Sequence, residues 1–437
     1  MTVHTSAPLS EQDREAVASL RAYGYRIHDI QALAHDQRPF AVRIPALHQT
    51  IAPGIHLRSA SVELGDDSFT NSYTLCVDLD FARVDVVSTV GGFHLRDQVG
   101  TPTSFAAVSG SFSFISDDPA YQPAEPCLDF CCRDGEVVSL PTAAKPALLV
   151  RAGHPRVENL DATGTLSLQG RRYRWIGSKT PGHIPGRQAG LLTVFGAANC
   201  AVRYSDHPRT GFVRHVDPAA NITPRDSAAV DYVVAWSPTE GHRVIAVHPG
   251  GGADLFAGNF VLRAGRPWAR HVSLGAHVEI TQLAGRDVRP LDSGISIGPS
   301  AADAAAGHTQ AYDACLGNSP FRDVRNARTL VGLYGRRLMI CVLDGAPKTE
   351  TFRGTTPKET AAACEASGFD PASMYHLDGG ASSKIAYLTQ ETTRVVGSMH
   401  YLKWPVLPTE PFRWQGTDGR VLRSALVLRA NHQQESP

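Results

Sequence analysis

The sequence has no stretch approaching roughly 18 uninterrupted apolar residues, which removes a transmembrane helix from consideration. It has no excess charge of either sign: 42 Lys+Arg stand against 42 Asp+Glu, and charged residues make up only 19%. A chain so balanced lacks the long-range field that a nonspecific nucleic-acid or polybasic membrane binder uses. Neither a nucleic-acid polymer nor a membrane is therefore expected as a partner. No HExxH or comparable metal spacing occurs among the 18 histidines. His248-Pro-Gly-Gly-Gly-Ala-Asp254 lacks the Lys-Ser/Thr of a phosphate loop and reads as a hairpin or loop. No repeat of roughly 20–50 residues is present, which disfavours a solenoid or propeller. Residues 1–20 contain Glu11, Asp13, Arg14 and Glu15 and no apolar core of a secretory signal, so a cytoplasmic location is expected. The eight cysteines are scattered, and in a reducing compartment the default is free thiols. Cys127, Cys131 and Cys132 are the only cluster; with no second CxxC or HxxxH, they read as structural thiols.

What is present is an apolar content of 42%, that of a folded protein, together with 39 glycines and 29 prolines that imply many turns and a strand-rich body. Length alone suggests two or three domains at roughly 100–200 residues each. The patterning favours a simpler division: a helical extension over 1–50, one catalytic body over 51–430, and a disordered tail over 431–437. Ser10 is a plausible N-cap for the extension, followed by Val17, Leu20 and Tyr23 at helical spacing. Strand-like runs fill 61–64, 72–80, 83–88 and 106–114, and more follow from about 138 to 282.

The last third changes character. Residues 328–333 and 337–343 read as two strands joined by the tight Tyr334-Gly335-Arg336 turn. Thr356, Pro357 and Glu359 then carry the signature of a capped helix start, and Gly368 is a natural stop. A strand over 374–377 runs into Asp378-Gly379-Gly380-Ala381-Ser382-Ser383. The fold class expected is α+β and β-rich: a mixed-sheet catalytic body, a C-terminal strand–helix–strand unit and a small helical preface.

Asp344 and Asp378 each follow an apolar strand and precede glycine. If the two strands are parallel neighbours, a crossover helix puts both acids at one sheet edge, where open α/β sheets bind ligands. Gly379 and Gly380 permit positive φ and close backbone approach, and Ser382 and Ser383 offer hydroxyls to a phosphate or sugar oxygen. An ordinary Asp-Gly turn is the bland alternative. His376, two residues before Asp378, shares its strand face and is either a core histidine or a site residue. Lys348 is either a phosphate contact or a solvated loop lysine.

These residues occur in an order that resembles the phosphodiester glycosidases, a family related to the lysosomal uncovering enzyme, N-acetylglucosamine-1-phosphodiester α-N-acetylglucosaminidase. Arg328-Thr329-Leu330-Val331-Gly332 is similar to the family's Arg-Thr-Ala-Ile/Val-Gly strand, and Val342-Leu343-Asp344-Gly345 to its Val-Asp-Gly strand end. Leu377-Asp378-Gly379-Gly380-Ala381-Ser382-Ser383 resembles its Leu-Asp-Gly-Gly-Gly-Ser-Ser signature, and residues 420–426 its closing strand. Weaker matches reach Ala52-Pro53-Gly54 and Val77-Asp78-Leu79, so the resemblance covers about 50–430, with only the last hundred residues specific. Two departures stand out: Ser109-Gly110 occupies the place of the family's Asn-Gly-Gly-Phe-Phe element, and Ala381 replaces a glycine.

The resemblance implies a hydrolase acting on a glycosyl-phosphate linkage of a sugar phosphate or small-molecule conjugate, with a biosynthetic pathway as its setting. Arg328 would hold the phosphate, while Asp344 and Asp378 would divide nucleophilic or charge-stabilising work and proton handling. Ser109, Gly110, His376, Gly379, Gly380, Ser382 and Ser383 would line the substrate. No cofactor or resident metal is expected, although Asp344 and Asp378 are also the pair a divalent ion would use. A phosphatase, phosphoryl-transfer enzyme or lyase on a nucleotide or sugar phosphate is the alternative, as is a non-catalytic sugar-phosphate binder. The sequence is compatible with a homo-oligomer.

Overall fold

Alternating apolar residues dominate from Leu47 onward, and they pair into antiparallel sheets. The computed structural model describes residues 43–431 apart from 66, 102, 114–122, 126, 201, 206–212, 217–219, 268, 270–271, 290, 311, 313–324, 346–353, 391, 398–401, 404–412 and 415–420. A first sheet of six strands runs in the order Leu47–Ala52, Ile55–Gly65, Ser68–Asp78, Arg337–Leu343, Arg328–Tyr334 and Met374–His376. Every neighbouring pair in it is antiparallel.

Two five-stranded sheets pack with it. The second has the order Thr393–Gly397, Lys384–Leu388, Ser104–Ser109, Leu422–Ala430 and Ala82–Phe93. The third has Glu136–Ser139, Cys131–Arg133, Ser293–Ser296, Lys145–Arg151 and His154–Leu160. Their shared core contains Leu75, Val77, Val84, Val108, Leu148, Ile295, Val331, Ile340, Val342, Ile385 and Leu426. Period-two alternation sorts the Arg337–Leu343 strand: Leu338, Ile340 and Val342 enter that core. Met339, Cys341 and Leu343 face outward, where Ala301, Ala363 and Cys364 of two helices cover them.

Those helices, α1 (Ala301–Ala306) and α2 (Pro357–Ala366), are the α-helices among the described residues. At α2 the Thr356 hydroxyl accepts from Glu359 N and the Glu359 carboxylate accepts from Thr356 N, a reciprocal capping box.

A closed barrel of seven strands is inserted between strands of the third sheet. Its order is Thr163–Leu168, Arg171–Gly177, Leu191–Phe195, Phe260–Gly265, Ala229–Ser237, Gly241–Pro249 and His277–Leu283, which returns to Thr163–Leu168. Leu166, Trp175, Leu192, Tyr232, Val234, Phe260, Leu262 and Val278 fill its core. On either side of the insertion, Ser293–Ser296 pairs with Lys145–Arg151.

The expected α+β class is corrected by this architecture: the protein is a β protein with two short helices among the described residues. The sheet that carries the site residues is antiparallel throughout rather than mixed. The strand–helix–strand unit fails for a topological reason. The strands on either side of α2, Arg337–Leu343 and Met374–His376, run parallel but are separated by Arg328–Tyr334, which pairs with both. The helical preface is corrected where it is described, since Leu47–Ala52 is a strand. Residues 1–42 and the tail 432–437 lie outside the described residues.

Candidate active site

Three strand ends meet at one edge of the first sheet. Antiparallel register sets Arg328 opposite Leu343 and Leu330 opposite His376, so one strand begins where both neighbours finish. The ladder continues one step further on each side: Asp344 N donates to Asn71 O at 2.9 Å and Leu377 N to Thr329 O at 2.8 Å. Asp344, Arg328 and Asp378 therefore leave the sheet together without the parallel crossover expected from the sequence.

The side chains divide between the two faces of that edge. Leu330 and Met374 face the helices, and the alternation carries Arg328 and His376 to that side. Val342 faces the inner core, and the same rule carries Asp344 inward. Electrostatics agrees with both placements. His376 feels the Arg328 charge, and the Tyr73 phenol on the inner face feels Asp344 and Tyr387. Burial is the larger cause at Tyr73 and, with Asp344, pushes the phenol well above its ordinary range.

Arg328 is 3% exposed, and its Nε donates to the Thr355 carbonyl at 3.3 Å. Burial lowers its guanidinium from 12.5 to about 10, leaving it cationic at neutral pH. His376 is 1% exposed, and its Nδ1 lies 2.9 Å from the Pro299 carbonyl. A carbonyl only accepts, so Nδ1 carries the proton and the ring presents a lone pair at Nε2. Burial first, then the Arg328 charge, lowers this imidazole to about 3 against the opposing Pro299 contact, so it is neutral at physiological pH.

The Asp378–Ser383 segment is the crossover from the first sheet to the second. Asp378 N donates to Gly110 O at 2.9 Å, Gly380 N returns to Ala327 O at 2.8 Å, and a single 3-10 turn over Gly380–Ser382 delivers the chain into Lys384–Leu388. Of the two glycines, Gly380 takes positive φ (59°), while Gly379 is extended and allows the Ala327 carbonyl to come within 3.1 Å of where a Cβ would stand. Ser109 and Gly110 are brought to the same bend. The Ser109 hydroxyl lies 3.1 Å from the Asp378 carbonyl and 3.2 Å from Thr329 Oγ1, with no exposure to solvent, and so supports the Asp378 backbone from beneath. Ser382 and Ser383 are fully buried, and neither hydroxyl oxygen has a hydrogen-bond partner among the described residues. Lys348 lies outside the described residues.

Other residues belong to this site without having been singled out. Asn71 is 2% exposed and pairs beside Asp344; Thr70 Oγ1 donates to the Asp344 carbonyl at 2.6 Å. The available signal was a polar residue at a core register, in the series Phe69, Asn71, Tyr73, Leu75, Val77. It fell just ahead of the strand start read at 72. Lys384, entirely buried immediately after Ser383, is a second such residue. A cleft of about 530 Å³ lined by His154, Arg156, Arg336 and Tyr375 opens by the Gly335 turn, at the other end of the Arg328 hairpin, and is separate from this edge.

Fold and edge together define a β-sheet protein with a buried cation, two acids and backbone donors at the ends of three antiparallel strands. Neither a protein-family model nor a curated protein matches the chain. Among solved structures it is distantly similar to a hypothetical protein from Synechocystis, at 11% identity and a TM-score of 0.48, over 89% of this chain and 64% of that one. This chain therefore spans less than two thirds of that protein's length. A Burkholderia pseudomallei protein is similar at 20% identity and a TM-score of 0.47, over 83% of this chain and 74% of its own. The catalytic domain of zebrafish N-acetylglucosamine-1-phosphodiester α-N-acetylglucosaminidase, auto-inhibited by its pro-peptide, is a weaker neighbour at 11% identity and a TM-score of 0.37, over 88% of each chain. A phosphodiester glycosidase is thus among the distant structural neighbours.

Proposed function

We propose that this protein is a hydrolase acting on a glycosyl-phosphate linkage in a sugar phosphate or small-molecule conjugate. The observation that carries the reading is the meeting of Asp344, Arg328 and Asp378 at one sheet edge, beside two buried serine hydroxyls that lack partners. A phosphorylated ligand would supply acceptors to the Ser382 and Ser383 hydroxyls. Arg328 offers a planar donor fork in a low-dielectric setting, where binding an anion is favoured. Gly379 and Gly380 let phosphate or sugar oxygens approach the backbone, and Ser382 and Ser383 supply hydroxyls. A phosphate leaving group already has weakly basic oxygens, so no strong general acid is required. One acid stabilises positive charge at the anomeric carbon or attacks it, and the other directs the proton of the incoming water. Neutral His376 stands beside Arg328 and would line the substrate.

The test is to incubate the protein with a panel of glycosyl phosphodiesters and follow free sugar and phosphate. Asp378→Asn is expected to retain ligand binding and lose release by at least about a hundredfold, the scale of a lost acid–base group. Binding without release by the unaltered protein across the panel would replace the hydrolase with a sugar-phosphate binding protein. Turnover lost to a chelator and restored by magnesium or calcium would favour a metal-dependent phosphatase or phosphoryl-transfer enzyme instead.

A further inference from the structure

A second group of reactive side chains is closed inside the protein, away from the Asp344–Arg328–Asp378 edge. Glu125, Cys127 and Cys131 are 1%, 1% and 0% exposed. A carboxylate oxygen and the two sulfurs all lie within 4.8 Å of one another. Each is held by β structure. Cys131 opens the strand Cys131–Arg133 and pairs with Ile295 on one side and Ser139 on the other. Cys127 bridges to Ser113, and its N–H donates to Glu125 Oε1 at 3.1 Å. The other carboxylate oxygen, Glu125 Oε2, lies 3.5 Å from Arg133 Nη1.

We propose that Glu125, Cys127 and Cys131 form a structural zinc site. Two thiolates argue against magnesium and calcium, which take oxygen ligands, while the carboxylate argues against copper(I), which prefers soft ligands alone; zinc accepts both kinds. The spacing fits with little adjustment. Tetrahedral zinc with Zn–S near 2.3 Å separates its sulfur ligands by about 3.8 Å, so closure from the observed spacing moves atoms by no more than about 1 Å. Charge also balances. Two thiolates and a carboxylate exceed the ion's charge by one negative unit, and the Arg133 guanidinium beside Glu125 offsets it inside the protein. Ser88 Oγ, 3.8 Å from Cys131 Sγ, supplies an oxygen for the fourth position. Uptake displaces the two thiol protons to solvent, so the ion enters as the chain folds, before the site is sealed. Once in place it fastens the Ala82–Phe93 strand of the second sheet to Cys131–Arg133 of the third, and anchors the chain that leads away from Ser109 and Gly110. This inference does not depend on the glycosyl-phosphate reading.

The experiment is elemental analysis of the full chain expressed in zinc-supplemented medium and purified without chelator. It is joined by absorption spectroscopy of protein refolded with cobalt(II) in place of zinc. The expected result is close to one zinc per chain and a thiolate-to-cobalt charge-transfer band. Cys127→Ser and Cys131→Ser should each lower zinc content at least tenfold, while Cys132→Ser, a buried neighbour outside the group, should keep it. The cobalt spectrum of the unaltered protein decides the matter if the serine variants do not fold. Less than about a tenth of a zinc per chain, a Cys127–Cys131 disulfide in the zinc-replete protein, or a cobalt form without the thiolate band would overturn the proposal.

Discussion

At the scale of single residues, the site edge keeps polar groups out of water without satisfying all of them. The partnerless hydroxyls of Ser382 and Ser383 are the clearest case, because an unsatisfied buried hydroxyl costs roughly 1–3 kcal/mol. Ser382→Ala and Ser383→Ala should therefore leave unfolding free energy unchanged or raise it by about 1 kcal/mol, while weakening binding of a glycosyl phosphodiester. Chemical denaturation and a binding titration on the same variants check this. A stability loss with intact affinity would assign the hydroxyls to packing. Arg328→Lys separates charge from geometry, since lysine keeps the cation and loses the bidentate fork. KM is expected to rise about tenfold, equivalent to about 1.4 kcal/mol, with an unaltered melting temperature. Unchanged kinetics would remove Arg328 from the site.

At the scale of elements, the site is set by how closely backbones pass. Gly298 N donates to the His376 carbonyl at 2.6 Å, and a Cβ on Gly298 would stand 2.8 Å from His376 Cβ and 3.0 Å from that carbonyl. Gly298→Ala should push the Met374–His376 strand away from its neighbours, costing about 1–3 kcal/mol as overpacking does. Because Asp378 follows directly, hydrolysis should fall with stability, and thermal melts beside rate measurements would show whether the two move together. The α2 cap acts more locally. Thr356→Ala removes the acceptor for Glu359 N and should cost about 1 kcal/mol in denaturant unfolding. The helix start was legible at Thr356, Pro357 and Glu359 because capping depends on residues within one turn. The edge position of Asp344 and Asp378 was legible because strand ends and glycines are local features too. The strand lying between them was not, since Arg328–Tyr334 pairs on one side with its hairpin partner and on the other with a segment about forty residues away.

At the scale of the whole molecule, the inserted barrel meets the third sheet beside a buried histidine. His242, on the barrel strand Gly241–Pro249, is lowered to about 4 by burial, against the hydrogen bond it donates to the Val138 backbone carbonyl. A histidine lowered on folding is neutral in the native state, whereas in the unfolded chain it takes up a proton below about 6.5. Stability is therefore fully present above that value and is lost as pH falls toward the folded-state value. Between pH 7 and pH 5, His242 should lower the unfolding free energy by about 2 kcal/mol, and His376, lowered to about 3, by a similar amount. Denaturant titrations at the two pH values should show this decline, and His242→Gln should remove about half of it. A pH-independent midpoint across that interval would contradict the burial of both rings.

The sequence by itself determined the strand-rich character, the tight turn at Gly335, the capped start of α2 and the association of Asp344, Arg328 and Asp378 with strand ends. Side-chain alternation, capping and turn chemistry act over a few residues, so they are written locally. Only the tertiary structure decided that the class is β rather than α+β, that Asp344 turns toward the inner core beside Tyr73, and that Ser109 braces the Asp378 backbone. It also brought Glu125 beside the Cys127 and Cys131 thiols, which the sequence read as inert. Such outcomes depend on which distant strands share a core, and that choice is made by collective burial of apolar faces, which no single stretch of the chain specifies.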